Sequence, residues 1–242
     1  MHNSCAGIAF YLIGYDFFMP ALIILVLVSL AALMPQLYVR SCMRRYNKPL
    51  GYAPGTGGEL ARHLLNRHAI HTTTVVEDQR GDFYDPSSRR LHLQPQHFNG
   101  TSLTAITVAA HEFGHALQHY QGSALLRLRT SLGKIAAWLT PIAPLAFSAG
   151  AILMVSFQRL ALALFALAIG SRLIGIVIHL ITLPVELDAS FAKALPILIK
   201  GEYIEPQDYQ GARKILRAAA LTYLSAALMQ LLVVWRWTVL RR

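Results

Sequence analysis

The apolar positions of this chain gather into four long runs separated by polar stretches. Phe17 to Val39 holds no charged residue over 23 positions, and Ile135 to Phe157 holds none over another 23. Leu160 to Leu183 runs 24 positions with only Arg172 and His179 as ionisable groups, and Ala218 to Trp235 adds 18. About 20 helical residues cross the hydrocarbon core of a bilayer, so each run predicts a transmembrane helix. Pro20, Pro35, Pro141 and Pro144 lie inside these runs or near their ends, which membrane helices tolerate. Only Gln158 and Arg159 separate the second run from the third, which predicts a tight helical hairpin.

Between the first two runs, residues 40–134 form the one sizeable polar region. Thr56-Gly57-Gly58-Glu59 is a capping-box sequence, in which the Thr hydroxyl and the Glu carboxylate satisfy free N–H groups, and it predicts a helix through about Arg67. The β-branched stretch Thr72 to Val76 predicts a strand. Asp82 to Ser88 predicts a turn around Asp85-Pro86, and the alternation from Arg90 to Gln94 predicts a second strand. A longer helix is expected from about Ser102 to Tyr120, buried in its first turns because Ala105 to Ala110 are nearly all small or apolar.

Composition sharpens this outline. Hydrophobic residues make up 55% and charged residues 14%, a membrane-like balance. The net charge of +10 raises the question of nucleic acid. The basic residues instead lie beside the apolar runs, where they meet anionic lipid and set orientation. No basic patch is interleaved with aromatics, so a nucleic-acid partner is not expected. Arg40, Arg44, Arg45 and Lys48 follow the first run and place its C-terminal end in the cytoplasm. The length of that run and the lack of a basic lead-in predict a retained anchor rather than a cleaved signal peptide. Residues 40–134 and 184–217 then share the cytoplasmic side, with 17 Lys and Arg against 4 on the other. The basic C-terminus runs mildly against this orientation. Cys5 and Cys42 flank the first span and are read as unpaired thiols, so any metal site must draw on His and carboxylate.

The buried helix carries His111-Glu112-Phe113-Gly114-His115, an HExxH pattern. Positions i and i+4 lie on one helix face, so both imidazoles can reach one ion at about 2.0–2.1 Å. Glu112 stands where it can take a proton from a water that the metal polarises. Two histidines and a glutamate would be costly to bury on an apolar helix without such a partner. His119 extends the row, but it lies about 12 Å along the axis from His111, too far to share an ion. A role beside the site or at the membrane interface is expected for it.

A third ligand must come from elsewhere on the same side of the membrane. Pro184-Val185-Glu186-Leu187-Asp188-Ala189-Ser190 follows the third span and carries two carboxylates that would be unusual there without a partner. The alternative is an acidic helix start with Pro184 near its first turn. Glu186 and Asp188 are two apart and point in different directions on a helix, so one of them is expected to ligate. Tyr209, Arg213 and Tyr223 are candidates to stabilise the oxyanion that hydrolysis develops. Arg172 and His179, inside the third span, are further polar candidates.

HEFGHALQH at 111–119 with LPVELDAS at 183–190 resembles the YugP-like family of bacterial membrane zinc metallopeptidases. Thr56 to Arg62, Tyr84-Asp85-Pro86 and Gly211 to Tyr223 add to the likeness, which extends from about residue 50 to 225. In gluzincin-like proteins the third ligand is a glutamate on a helix after HExxH, so the resemblance favours Glu186. Membrane proteases of the HtpX and CAAX-processing types carry a related E-x-x-A-D pattern, and here Ser190 replaces its aspartate. Leu187-Asp188-Ala189 is also similar to the L-D-G motif of site-2 intramembrane proteases, which would make Asp188 the ligand. Against that, the glycine is missing and the HExxH helix lies in the polar region.

The expectation is therefore a mainly α membrane protein of four transmembrane helices with a small zincin-like α+β cytoplasmic domain at 40–134. Its spans are 17–39, 135–157, 160–183 and 218–235, and the cytoplasmic segment 184–217 carries the third ligand. It is expected in the bacterial cytoplasmic membrane with the active site on the cytoplasmic side. Zn2+ is the expected cofactor, held by His111, His115 and Glu186, with Glu112 as catalytic base. The expected partners are the lipid bilayer and a membrane-protein or peptide substrate, which the strand at Arg90–Gln94 would bind by β-augmentation.

Overall fold

The computed structural model describes residues 33–53 and 55–239, together with Ile23, Val26, Leu27, Ser29 and Leu30, and in the last helix the side chains through 226 and that of 229. Helix α1 includes 33–45. It is followed by α2 (Gly57–Arg67), strands β1 (Thr74–Glu77), β2 (Phe83–Asp85) and β3 (Arg90–Leu93), and the short α3 (Pro95–Phe98). The HExxH helix is α4 (Leu103–Tyr120). Two long helices, α5 (Ala124–Leu153) and α6 (Gln158–Leu187), form an antiparallel hairpin. A π-helical segment, Asp188–Ala194, joins α6 to α7 (Leu195–Lys200), and α8 (Tyr209–Val239) closes the chain.

The local signals in the polar region act as expected. Thr56 Oγ1 accepts from the Glu59 N–H at 3.2 Å and Glu59 Oε2 accepts from the Thr56 N–H at 2.8 Å, which completes the capping box of α2. Ser102 caps α4 by accepting from the Ala105 N–H. The stretch around Asp85-Pro86 holds a strand as well as a turn, because Phe83–Asp85 pairs antiparallel with β3. The sheet order is β1-β3-β2, with β1 parallel to β3. The strand expected to receive a substrate is therefore the central one, hydrogen-bonded on both sides. Pairing through β3 is excluded, and any added strand would have to use β1 or β2.

Helix α4 runs through the core of this region. Ala105, Ala109, Ala110 and Phe113 have no exposed surface, and Leu64, Leu91, Leu198 and Ile215 from surrounding elements are buried with them. Gly114 permits a close backbone approach on the side of the π segment. A Cβ there would lie 2.7 Å from the carbonyl oxygen of Ala189 in the π segment, well inside contact distance. Pro196 gives a reason for the π segment itself, since its ring collides with the carbonyl four residues back and its nitrogen donates nothing. The Leu195 N–H reaches back five residues to Ser190 O, the widened turn that results. Helix α6 passes through Pro184 without interruption, so no helix begins there. The acidic residues after Pro184 are not placed to complement a helix start.

Among the described residues, two helices are long and apolar enough to cross a membrane: Ala124–Leu153 and the continuous Gln158–Lys200. Their outer faces are apolar and bare, with Trp138 77% and Ile152 79% exposed. Phe147 and Phe165 meet across the hairpin with ring centroids 5.3 Å apart. The turn occupies 154–157, slightly earlier than the Gln158-Arg159 break in the apolar pattern. The first expected span, 17–39, lies partly outside the described residues, and its end, 33–39, falls within α1. The fourth, 218–235, falls within α8.

Overpacking a tight contact costs about 1–3 kcal/mol. Gly114→Ala is therefore expected to destabilise the fold by that amount, measured by thermal melting.

Candidate metal centre

One turn of α4 separates His111 from His115, and their rings stand edge to face with centroids 4.8 Å apart. Glu186, on the last turn of α6, reaches between them. Its Oε2 lies 3.1 Å from His111 Nε2 and 3.4 Å from His115 Nε2. One ligand atom from each residue falls within 4.8 Å of the other two. Donors placed tetrahedrally at about 2.0–2.1 Å from zinc stand about 3.3–3.4 Å apart, so the carboxylate–imidazole distances fit such an ion. Glu186 is 1% exposed, and a carboxylate so buried requires compensating positive charge.

The orientation of His115 is set by its neighbours. Gln118, also 1% exposed, donates its amide N–H groups to Val185 O at 2.8 Å and Asp188 Oδ2 at 2.7 Å. Both partners accept, so the amide oxygen is left to face His115 Nδ1 at 2.9 Å. Nδ1 must then carry the proton, and Nε2 presents its lone pair toward Glu186 and His111. Ser190 Oγ lies 3.1 Å from His111 Nδ1. This is the position where the E-x-x-A-D pattern has aspartate, so a hydroxyl here occupies the place beside the ring.

Glu112 is 6% exposed and stands outside the three-residue group. Burial pushes its carboxyl up to about 7, reinforced by the charges of Glu186 and Asp82 and opposed by those of His111 and Arg129. A group titrating near neutrality can both take and return a proton. Asp82 is itself anchored by His97 Nδ1 and the Gln94 N–H, each at 2.8 Å. The loop before β2 thus brings a charge toward the site.

The remaining candidates separate cleanly. Asp188 accepts from Gln118 and from Lys193 Nζ at 2.6 Å, beside the three-residue group rather than in it. His119 Nδ1 meets the Tyr84 hydroxyl at 2.7 Å, tying the end of α4 to the sheet. Tyr223 comes near enough to Glu186, Arg129 and Glu112 for their charges to act on its hydroxyl. Tyr209 packs half-buried against the core and Arg213 is exposed. His179 lines a separate cavity of about 520 Å³ with Gln36, Thr222 and Ser225. Arg172 is half-buried on α6.

Arg129 and Gln118 were not found by motif reasoning. Arg129 Nη1 lies 3.2 Å from Glu186 Oε1, although by position it resembles the other basic residues that flank a span. Gln118 has a weak sequence signal, since it lies three residues after His115 on the same helix face.

Residues 21–242 match a family described as "Putative neutral zinc metallopeptidase". The chain belongs to this family. It is also 35% identical over 209 residues to a Bacillus subtilis (strain 168) protein named "Putative membrane protease YugP", covering 85% of this chain and 89% of that one. No solved structure matches the chain. The match to the zinc metallopeptidase family spans α1 through α8, so it includes both the HExxH helix and the segment carrying Glu186.

Losing a hydrogen bond to a ligating imidazole typically costs about 10–100-fold in metal affinity. Gln118→Ala should weaken zinc binding by that factor, read by competition with a chromogenic chelator.

Proposed function

We propose that this protein is a zinc-dependent metallopeptidase that cleaves peptide bonds of membrane proteins or peptides at the cytoplasmic membrane surface. The convergence of His111 Nε2, His115 Nε2 and Glu186 Oε2 on one point carries the reading. These three would hold zinc and leave a fourth position open, the arrangement of catalytic rather than structural sites. When bound, zinc supplies a Lewis acid that lowers the pKa of a coordinated water and polarises the scissile carbonyl. Glu112 takes the proton of the attacking water and returns it to the leaving amine. Tyr223, on whose hydroxyl the charges of Glu186 and Glu112 act, is assigned the oxyanion role.

The position at the membrane surface is supported by helix length. From Leu160 to Glu186 a helix rises about 39 Å, against a hydrocarbon core of about 30 Å. If the third span enters the core near Leu160, Glu186 emerges about 9 Å beyond it. The exposed apolar faces of α5 and α6 are stable against lipid and unfavourable against water. Spans at 17–39, 135–157, 160–183 and 218–235 would put 40–134 and 184–217 on the cytoplasmic side, in line with the distribution of basic residues.

Two experiments test the proposal in the full-length protein in detergent. Glu112→Gln should lower turnover of a peptide substrate by about 10²–10⁴-fold while zinc stays bound. Wild-type turnover in this variant would remove Glu112 as the base, and hydrolysis of esters but not peptides by the parent protein would point to another hydrolase class. Metal content distinguishes the carboxylates. Glu186→Ala should lose zinc and Asp188→Ala should retain it in weakened form; the reverse order would make Asp188 the ligand.

A further inference from the structure

Glu186 turns only one of its oxygens toward the histidines. Oε2 faces both imidazoles, while Oε1 is buried without a hydrogen bond of good geometry and has Arg129 Nη1 as its ion-pair partner at 3.2 Å. The Glu186 side chain is 2% exposed, so bulk water does not serve Oε1. A carboxylate with one oxygen left unheld can swing both onto a cation. On zinc with two histidines, that second oxygen would take the position an attacking water needs. A guanidinium on the far oxygen opposes the swing through a charge-assisted contact. Arg129 also enters the site from a fixed base, since α5 starts at Ala124 under a Ser123 cap directly after the HExxH helix.

We infer that Arg129 is a positioning residue that keeps Glu186 ligating through a single oxygen and so keeps the fourth metal position open. This rests on the proposal that His111, His115 and Glu186 bind zinc. It gives a cation beside a cation-binding site a purpose, because the charge acts on the oxygen that is not meant to ligate. It also separates Arg129 from Arg127 and the other basic residues before the second span, for which orientation in the membrane is sufficient explanation.

Cobalt(II) substitution of the full-length protein in detergent provides the test, because its visible absorption weakens as coordination expands from four to five. Wild-type protein should give intense bands. Arg129→Gln should bind cobalt with those bands lost and kcat reduced, at unchanged KM. Arg129→Lys, which keeps the charge and is the safer variant for folding, should restore intensity toward wild type. Cobalt-loaded Arg129→Gln and Arg129→Lys that both show the wild-type spectrum would overturn the inference. So would a raised KM with an unchanged spectrum, which would make Arg129 a substrate-binding group. A wild-type protein that takes up no cobalt would instead sink the underlying metal assignment.

Discussion

A carboxylate with 1% exposure sits between two imidazoles at the end of a membrane-type helix, and the surrounding structure is arranged around keeping it there. Burying Glu186 without positive partners would be severely unfavourable. Arg129 supplies one, and a metal ion held with His111 and His115 would supply the other, from two helices that are consecutive in the chain. The partners meet only because α4 and the π segment approach to backbone contact at Gly114 and Ala189. A side chain at 114 would hold the two apart and separate the histidines from the glutamate.

The π segment marks where a long apolar helix changes its character. Up to Leu187 the chain follows an α-helix suited to hydrocarbon, where every backbone group must be satisfied within the segment. Beyond it, the widened turns accommodate Pro196 and place Asp188, Ser190 and Lys193 around α4. Ser190 reaches His111, while Asp188 reaches His115 through Gln118. Both ring orientations therefore depend on the same irregular stretch. Such π segments recur at functional sites because they re-aim side chains without ending a helix.

The small sheet plays a supporting part. With β3 in the centre, its role is to hold the loop of Asp82 and the Tyr84–His119 contact rather than to offer a free edge through that strand. Half-buried His119 thereby has a polar partner without a metal. The two Asp–His pairs, Asp78–His92 and Asp82–His97, lock neighbouring loops in the same way.

Short-range patterns in the sequence determined the elements that local forces specify. The capping box at Thr56–Glu59, the α4 helix with its HExxH face, the apolar stretches of α5 and α6 and the hairpin between them all follow from periodicity, caps and helix geometry acting over a few residues. The shared face of His111 and His115 was legible for the same reason, since i to i+4 spacing is a property of one helix. The tertiary structure decided what depends on contacts between distant residues. It placed Glu186 rather than Asp188 against the histidines, brought Arg129 and Gln118 to the site, and made β3 a central strand. Spacing cannot report these, because helix packing and the depth to which a charge is buried are set by the whole fold.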